Sequence, residues 1–371
     1  MKTWIEISKD NILHNIQLLK KLLKPSTNFM VVLKSNAYGH GLDIMNNICM
    51  QSGLVDWYGV DSAKEALILR KLGNTKPILV LGYIPYKDLK KVIENNVSFV
   101  AYNIELLEYL QNKKYNKSIK IHIKIETGTS RQGIANEDLI NFAKKAKENT
   151  NIKIEGIYTH YANIEDTTDS SYAMEQLKKF NENIKLLENL CIFIPIKHSA
   201  CSAALINYPE THFNMVRAGI SLYGMWSSIE TKAIAQRNNI NLGLKPALTW
   251  KAHIAQIKEL KANTPVSYGL TETVKRNSKI AIIPVGYWDG YDRGLSSIGE
   301  VLINNKRAKI LGRICMNMMI IDITDIPETK INDEVILFGG EITAEEIARK
   351  IGTINYEVVT RINPLIKRII K

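Results

Sequence analysis

Residues 119–160 begin with IKIHIKIE (119–126), continue through DLINFAKKAKEN (138–149) and end with IKIEGIYTH (152–160). The first and last segments are short apolar runs typical of buried strands, whereas the middle segment carries apolar residues at helical spacing. Similar apolar runs, separated by further helical patterns, occur at FMVVLK (29–34), WYGVD (57–61), PILVLGY (77–83), VSFVAY (97–102), IFIPIKH (192–198) and FNMVRAG (213–219). Eight strand–helix units in series predict an α/β fold, a parallel (β/α)8 TIM barrel.

The last third of the chain has a different pattern. After about residue 235, segments such as ALTWKAHIAQIKEL (247–260), GEVLINNKRAKILGRI (299–314) and DEVILFGG (333–340) alternate strands with turns, which predicts a mostly antiparallel β domain. One helix is expected at TAEEIARKIG (343–352), with Thr343 as N-cap and Glu346 completing a capping box. The 371 residues therefore divide into a predicted barrel domain at 1–235 and a β domain at 236–371.

Composition narrows the class of protein. Hydrophobic residues make up 45% of the chain and charged residues 23%, as in ordinary folded proteins. No stretch is apolar enough for a membrane span or a signal peptide, and the cysteines at 49, 191, 201 and 315 include no CxxC pair. We therefore expect a cytoplasmic protein without disulfides and without a metal centre.

The net charge is +12, from 49 Lys and Arg residues against 37 Asp and Glu residues. A positive charge of this size can favour nucleic acid or an anionic membrane surface. However, the lysines are spread over helical patterns such as KKLLK (20–24) and AKKAK (143–147), and no nucleic-acid-binding motif is present. We expect no nucleic-acid partner, whereas a weak attraction to anionic lipid stays open.

The chemistry of a TIM barrel is concentrated at the carboxyl ends of its strands. The first strand ends in VVLKSNAYGHG (31–41), so Lys34 is expected at the barrel mouth. Desolvation there lowers the pKa of a lysine and makes its neutral amine available for Schiff-base chemistry. A lone lysine at a strand end is more often one whose side chain simply extends into solvent. The other strand ends therefore decide the interpretation.

Those strand ends add further polar side chains. The segments KIETGTSRQG (124–133), YTHYA (158–162), KHSACSA (197–203) and MVRAGISLYG (215–224) contribute Lys124, Arg131, His160, His198, Ser202 and Arg217. Ser202, Gly219 and Ile220 lie in short loops after the last two strands, where barrels often bind phosphate through backbone N–H groups. A lysine beside a phosphate pocket suggests pyridoxal phosphate, with Arg217 donating to its pyridine nitrogen.

A further candidate is Tyr268, in the turn PVSYGLTE (265–272). With it, the chain resembles the alanine racemase family of pyridoxal-phosphate enzymes, from TWIEIS (3–8) to INYEVVTR (354–361). KSNAYGHG (34–41) is similar to the family's cofactor-lysine signature, and SYG (267–269) to the turn of its second catalytic base. The resemblance implies racemisation of a small amino acid by a head-to-tail homodimer. Lys34 would act on the proton of one enantiomer, and Tyr268 from the partner's β domain on that of the other.

The resemblance also implies roles for other residues. Contacts to the cofactor are implied for Tyr38, His160, Ser202, Arg217, Gly219, Ile220 and Tyr356. Arg131, Met316 and Tyr287 match residues that contact the substrate or guard its entrance, and Lys124 matches a lysine that is often carbamylated in the family.

Three positions near the substrate leave its identity open. Cys201 stands where the family usually has asparagine and Asn317 where it has aspartate, and a one-residue alignment shift would bring Asn355 into the pocket. A more polar pocket admits a hydroxymethyl group, because a buried hydroxyl needs a partner. The chain is thus expected to be either a biosynthetic alanine racemase for peptidoglycan precursors or a serine racemase domain. The latter resembles the cytoplasmic part of the membrane-bound serine racemases of vancomycin resistance, whose membrane tether would lie outside this chain.

Two other classes fit less well. A fold-related amino-acid decarboxylase shares the barrel, the β domain and the cofactor, but its cysteine-based motif is missing. A non-enzymatic cofactor-binding barrel would lack the β domain and Tyr268.

Overall fold

A computed structural model describes all 371 residues. They form two compact units: the barrel unit contains residues 12–35 and 45–245, and the β unit contains residues 1–11, 36–44 and 246–371. The predicted domain division at 235/236 stays a prediction, because compactness alone does not define an independently folding domain.

The amino-terminal strand β1 (Thr3–Ile7) belongs to the β unit. The barrel unit contains eight parallel strands, which lie at the eight predicted runs and confirm the predicted fold. They are β2 (Asn28–Val32), β3 (Trp57–Val60), β4 (Ile78–Val80), β5 (Ser98–Ala101), β6 (Ile119–Lys124), β7 (Ile152–Tyr158), β8 (Ile196–His198) and β9 (Met215–Ala218).

The strands pair in the order β8-β7-β6-β5-β4-β3-β2-β9. The remaining gap between β8 and β9 is bridged by a 3.1 Å hydrogen bond from the Arg217 N–H to the Ala200 carbonyl, so the barrel is nearly closed. Met30, Trp57, Leu79 and Met215 form a buried apolar cluster across four of these strands. Because parallel strands end at the same face, the barrel brings Lys34, Lys124 and Arg217 to one end.

Helices follow the strands as predicted. They are α1 (Lys9–Lys21), α2 (Lys34–Tyr38), α3 (Leu42–Ser52), α4 (Ala63–Lys71), α5 (Tyr86–Glu94), α6 (Ile104–Gln111), α7 (Leu139–Glu148), α8 (Ser171–Asn189), α9 (Ser202–Asn207) and α10 (Ile229–Arg237). Short 3₁₀ helices lie at Asn136–Asp138, Pro209–Thr211 and Ile220–Tyr223. No helix combines the length and the apolar composition that crossing a bilayer requires.

The β unit is built mostly from antiparallel strands, as predicted. After β1 they are β10 (Leu248–His253), β11 (Gln256–Leu260), β12 (Pro265–Val266), β13 (Glu272–Thr273), β14 (Ser278–Ile283), β15 (Glu300–Ile303), β16 (Lys306–Lys309), β17 (Met319–Asp322), β18 (Glu334–Phe338) and β19 (Arg368–Ile370). A six-stranded sheet has the order β16-β15-β18-β10-β1-β19, in which only β1 and β19 pair in parallel. Asn304 and Asn305 turn β15 into β16 with positive φ, as a two-residue hairpin loop requires.

Two helices, α11 (Ala344–Ile351) and α12 (Asn355–Thr360), complete the β unit, with 3₁₀ helices at Tyr268–Leu270, Tyr287–Asp289 and Arg293–Leu295. Thr343 caps α11 as predicted, since its hydroxyl accepts from the Glu346 N–H at 3.1 Å. The predicted capping box is incomplete: the Glu346 carboxylate instead pairs with Arg307 at 2.8 Å and Lys350 at 3.0 Å. Two cations compete successfully for a carboxylate that would otherwise reach back to the N-cap.

Candidate active site

Lys34 follows the first barrel strand, at the predicted position. Desolvation lowers the pKa of this half-buried lysine below its usual range, and the charges of Arg131 and Arg217 lower it further, against the opposing effect of Asp61. A lysine of lowered pKa has more of its amine in the neutral, nucleophilic form.

The helix that begins at Lys34 is left-handed. Ser35, Asn36, Ala37 and Tyr38 have φ between 51° and 56°, and none of them is glycine. The left-handed conformation costs about 1–2 kcal/mol for each such residue, so surrounding contacts must hold it. Strain of this kind directly after a nucleophilic lysine indicates a functional constraint on the backbone.

Hydrogen bonds within the β unit hold the end of this turn. Asn36 accepts from the Leu42 N–H at its side-chain oxygen (2.9 Å) and from the Gly41 N–H at its carbonyl (3.0 Å). Arg368 donates from Nε to the Gly39 carbonyl at 3.1 Å. These contacts tie the turn to the carboxyl-terminal strand.

Arg217 lies at the end of β9 and is buried. It donates from Nη2 to the carbonyls of Thr159 (2.9 Å) and Ser199 (2.8 Å), and from Nη1 to Nδ1 of His198 (2.7 Å). Nη2 is also 3.3 Å from Nδ1 of His160. These contacts fix the plane of the guanidinium group, whose Nε makes none of them.

Lys124, at the end of β6, is buried, and the charges of Arg131 and Arg217 act on it. Its ammonium group donates to Oε1 of Gln132 at 2.9 Å and lies 5.7 Å from the ring centre of Tyr158. Desolvation, with the charges of Arg131 and Arg217, lowers the pKa of Lys124 to about 8. A minor fraction of this amine, larger than for an ordinary lysine, is therefore neutral near pH 7.

The loop after β6 presents Arg131 to solvent. Its backbone N–H donates to Glu126 at 3.3 Å, as does that of Gly128 at 2.6 Å. Burial alone would raise the pKa of Glu126, but the backbone N–H groups of this loop hold it below its usual range. The carboxylate therefore holds the loop in place through these backbone hydrogen bonds.

Desolvation, together with Arg217 and Arg131, holds the pKa of His160 well below its usual range.

Ser202 lies beside the loop that contains Gly219 and Ile220. The Ser202 hydroxyl accepts from the backbone N–H of Gly219 at 3.0 Å and of Ser221 at 3.4 Å. The hydroxyl of Ser221 is buried without a hydrogen-bond partner in the protein, and Ile220 between the two is fully buried. The unpartnered hydroxyl of Ser221 and the hydroxyl hydrogen of Ser202, which accepts from these N–H groups, are donors that suit an anion, so these residues fit a phosphate.

In the β unit, the ring centres of Tyr38 and Tyr356 lie 6.1 Å apart. The neighbouring Asn355 is buried, and its amide donates to Glu345 on α11 at 2.9 Å. The ring of Tyr356 therefore packs beside Tyr38, and the amide of Asn355 is hydrogen-bonded to Glu345.

The remaining predicted residues, Tyr268, Tyr287, Met316 and Asn317, are exposed on linked loops of the β unit. The turn before Tyr268 is bonded to one loop by Ser267, whose hydroxyl donates to the Arg313 carbonyl at 2.6 Å. The Tyr287 N–H donates to the Cys315 carbonyl at 3.1 Å, which links the loop of Tyr287 to the loop that contains Cys315, Met316 and Asn317. Tyr268 itself is 71% exposed.

Sequence reasoning missed the buried His122 and Ser221 and the partly buried Glu155 of the barrel unit. The signal for His122 was present in the alternation of IKIHIKIE, where every second residue is polar.

The Sγ atom of Cys201 lies 3.8 Å from Oε1 of Glu165, and desolvation, with the charge of that carboxyl group, raises the pKa of the thiol to about 12. This cysteine is therefore a neutral group.

Comparisons with known proteins point to one family. The model for the alanine racemase N-terminal domain matches residues 7–226, and that for the C-terminal domain matches residues 247–370. An alanine racemase of Methanococcus maripaludis is 41% identical over 373 residues, covering 99% of this chain and 98% of the relative. One of Leptospira interrogans is 39% identical over 375 residues, covering 99% and 95%. The solved alanine racemase of Clostridium difficile 630 has a TM-score of 0.93 at 34% identity, covering 100% of this chain and 96% of that chain.

Proposed function

The chain belongs to the alanine racemase family, and on that premise we propose that it interconverts L-alanine and D-alanine with pyridoxal 5′-phosphate as its cofactor. The observation that carries the proposal is the amine of Lys34 at the end of the first barrel strand. Its pKa is lowered by desolvation and, further, by the charges of Arg131 and Arg217. The same barrel unit offers the phosphate-fitting group of Ser202, Gly219 and Ser221.

These residues would hold the cofactor at three points. Lys34 would bind it covalently through Nζ, the loop 219–221 would hold its phosphate, and Arg217 would donate to its pyridine nitrogen. Bound pyridoxal phosphate withdraws electrons from the α-carbon of an attached amino acid and makes its α-hydrogen acidic. Because a guanidinium group donates and does not accept protons, Arg217 would leave the pyridine nitrogen unprotonated.

Racemisation requires a proton to leave one face of the α-carbon and another to arrive on the opposite face. Lys34 Nζ would exchange the proton on one face, since a lowered pKa lets the amine accept a proton and return it near neutral pH. The hydroxyl of Tyr268 would exchange the proton on the other face. Arg131 would orient the substrate carboxylate, as the family resemblance implies.

We infer that Tyr268 serves the active site of a second copy of the chain. Its side chain is 71% exposed, and Leu270, Trp288, Met316 and Met318 on the same linked loops are also exposed. Large exposed apolar groups on neighbouring loops are typical of an interface between chains. A head-to-tail homodimer would cover them and would bring the partner's Tyr268 to the barrel mouth.

Alanine is the proposed substrate, rather than serine. Tyr356 packs beside Tyr38, and the amide of Asn355 is hydrogen-bonded to Glu345. The bulky phenol, and not an amide that would favour a hydroxymethyl group, would then line the substrate pocket that the family resemblance implies. The neutral thiol of Cys201 offers only weak hydrogen bonding in place of an amide.

We also propose that Lys124 carries a carbamate. Its pKa of about 8 leaves neutral amine to react with carbon dioxide, and the product replaces a positive charge by a negative one beside Arg131 and Arg217. The carbamate would then hold Arg131 by charge-assisted hydrogen bonds.

The proposed function is tested by incubating L-alanine with the protein and pyridoxal phosphate in D2O. We expect D-alanine that carries deuterium at the α-carbon, without release of carbon dioxide. Release of carbon dioxide would identify a decarboxylase, and unlabelled, unconverted L-alanine would contradict both assignments.

A further inference from the structure

A line of four polar side chains runs through the barrel unit, one from each of four strands. Nη1 of Arg217 lies 2.7 Å from Nδ1 of His198, and Nε2 of His198 lies 3.0 Å from Nδ1 of His122. Nε2 of His122 lies 3.6 Å from Oε2 of Glu155. We call Arg217, His198, His122 and Glu155 the histidine column. Both imidazoles are completely buried.

The direction of every hydrogen bond in the column follows from its first member. A guanidinium group can only donate, so Nδ1 of His198 accepts and the ring hydrogen of His198 is on Nε2. That N–H donates to Nδ1 of His122, whose own hydrogen must then be on Nε2. The second N–H faces the carboxylate of Glu155, which can only accept. Each ring therefore has one tautomer that satisfies both of its contacts.

Both rings are neutral, as this arrangement requires. Desolvation, with the charge of Arg217, holds the pKa of His198 well below its usual range. Desolvation also lowers the pKa of His122, although Glu155 opposes the effect.

The far end of the column is an anion. Ser98 donates from its hydroxyl to Oε2 of Glu155 at 2.5 Å, and Nζ of Lys120 lies 4.0 Å from Oε1. Burial alone would raise the pKa of Glu155, but His122, Ser98 and Lys120 hold it below its usual value. At 3.6 Å, the contact to His122 is longer than a hydrogen bond, so the carboxylate acts on the His122 N–H through its charge.

Close packing keeps the rings in this orientation. His198 stacks on Tyr158 with ring centres 4.6 Å apart and an angle of 6° between the planes. A Cβ on Gly156 would lie 2.2 Å from Nδ1 of His122, so only glycine lets that ring approach β7. These contacts restrict the rotation of both rings.

We propose that Glu155 is a positioning residue that acts on Arg217 through His122 and His198. Arg217 at one end and the charge of Glu155 at the other favour the same tautomers. The carboxylate, 3.6 Å away, stabilises the hydrogen on Nε2 of His122, which leaves Nδ1 of His122 to accept from His198 and Nδ1 of His198 to accept from Nη1 of Arg217. The guanidinium group is thereby held with its remaining N–H groups directed to the cofactor ring. This last step rests on the proposed function, whereas the order of tautomers does not.

The test is NMR of the protein as purified, labelled with 15N-histidine, which reports the ring nitrogen that carries the hydrogen. Each signal is assigned by replacing one histidine at a time. We expect the hydrogen on Nε2 in both His122 and His198. Glu155→Leu, of similar volume but without charge, leaves the buried Nε2–H of His122 without its anion. It should shift part of the His122 population to the Nδ1–H form at the expense of the hydrogen bond from His198, and Glu155→Gln, whose amide oxygen accepts, should restore the Nε2–H form.

Hydrogen on Nδ1 of either ring in the unmodified protein would overturn the proposal, and this result does not depend on the folding of any variant. An unchanged tautomer pattern in Glu155→Leu would overturn it as well. The control is Glu188→Leu, which removes a carboxylate that pairs with Lys197 at 2.5 Å on the outside of the barrel unit. It should leave the tautomers unchanged.

Measuring kcat and KM for racemisation in the same variants is a second test of the role of Glu155. Glu155→Leu should lower kcat for racemisation about 10-fold, with KM changed less than about two-fold, because Arg217 acts on the reacting cofactor and not on substrate binding. An equal kcat in Glu155→Leu and Glu188→Leu would overturn the role of Glu155. Absence of racemisation in the unmodified protein would instead refute the proposed function, and the tautomer measurement would still decide the order within the column.

Discussion

A side chain at position 39 would collide with the backbone of Val359. A Cβ on Gly39 would lie 2.0 Å from the Val359 carbonyl oxygen, and φ at Gly39 is +81°. The left-handed turn after Lys34 is thus closed by a residue that can only be glycine. Since the turn is strained, its conformation depends on this close approach between two distant parts of the chain.

Gly39→Ala is expected to lower the free energy of unfolding by about 3 kcal/mol or more, because it adds both a steric clash and an unfavourable φ. Gly53→Ala is the matched control: Gly53 has φ of +67° but no atom within 4 Å of a Cβ, so only the conformational cost of about 1–2 kcal/mol applies. Denaturant unfolding measures both values. Equal losses in the two variants would show that the contact with Val359 has no effect on stability.

Lys34→Ala is expected to abolish covalent binding of pyridoxal phosphate and to lower racemisation more than about 1,000-fold, because the nucleophile and one of the two bases are lost together. Borohydride trapping of the cofactor followed by mass spectrometry measures the first effect. Lys197→Ala, which removes a partly exposed lysine of β8, should retain both properties. Trapped cofactor on the Lys34 variant would contradict the assignment.

Tyr268→Phe is expected to keep the bound cofactor and to slow proton removal from one enantiomer by about 10²–10⁴-fold, the usual contribution of a general base. Exchange of the α-hydrogen with D2O, measured separately from L- and D-alanine, tests this asymmetry. Tyr83→Phe, at an exposed tyrosine of the barrel unit, is the control. Equal slowing of both enantiomers would argue against a two-base mechanism.

Lys124→Met is expected to be more stable than the unmodified protein by about 1–3 kcal/mol at pH 7 in buffer free of carbon dioxide. The pKa of Lys124 is lowered to about 8 in the folded state, so between pH 8 and about 10.5 the folded state binds fewer protons than the unfolded state. The stability of the unmodified protein should therefore rise with pH through this window, and the difference should shrink. Added bicarbonate should stabilise the unmodified protein alone. A difference independent of pH and bicarbonate would contradict the account.

The barrel strands could be predicted because each is a short apolar run between helical patterns. Their ends could not be predicted as well: the run at 77–83 forms a strand only at Ile78–Val80. Leu81 beyond it packs on the cluster of Met30 and Leu79, so apolar character continues after the hydrogen-bonded ladder ends.

The left-handed turn and the histidine column lie beyond what a sequence pattern can indicate. Four non-glycine residues in succession with positive φ contradict local preference, and only contacts such as that between Gly39 and Val359 make the turn possible. The alternation in IKIHIKIE marks His122 as polar but does not tell whether that face meets solvent or the interior of a barrel. Closure of the sheet decides it, through contacts between strands far apart in the sequence.

The most direct test of the central claim is the racemisation of L-alanine and L-serine side by side, with added pyridoxal phosphate, compared as kcat/KM. The geometry of Tyr38, Tyr356 and Asn355 predicts a strong preference for alanine. Comparable or better turnover of serine would contradict the proposed substrate and favour a resistance-type serine racemase. Turnover of neither amino acid would contradict the proposed racemisation itself.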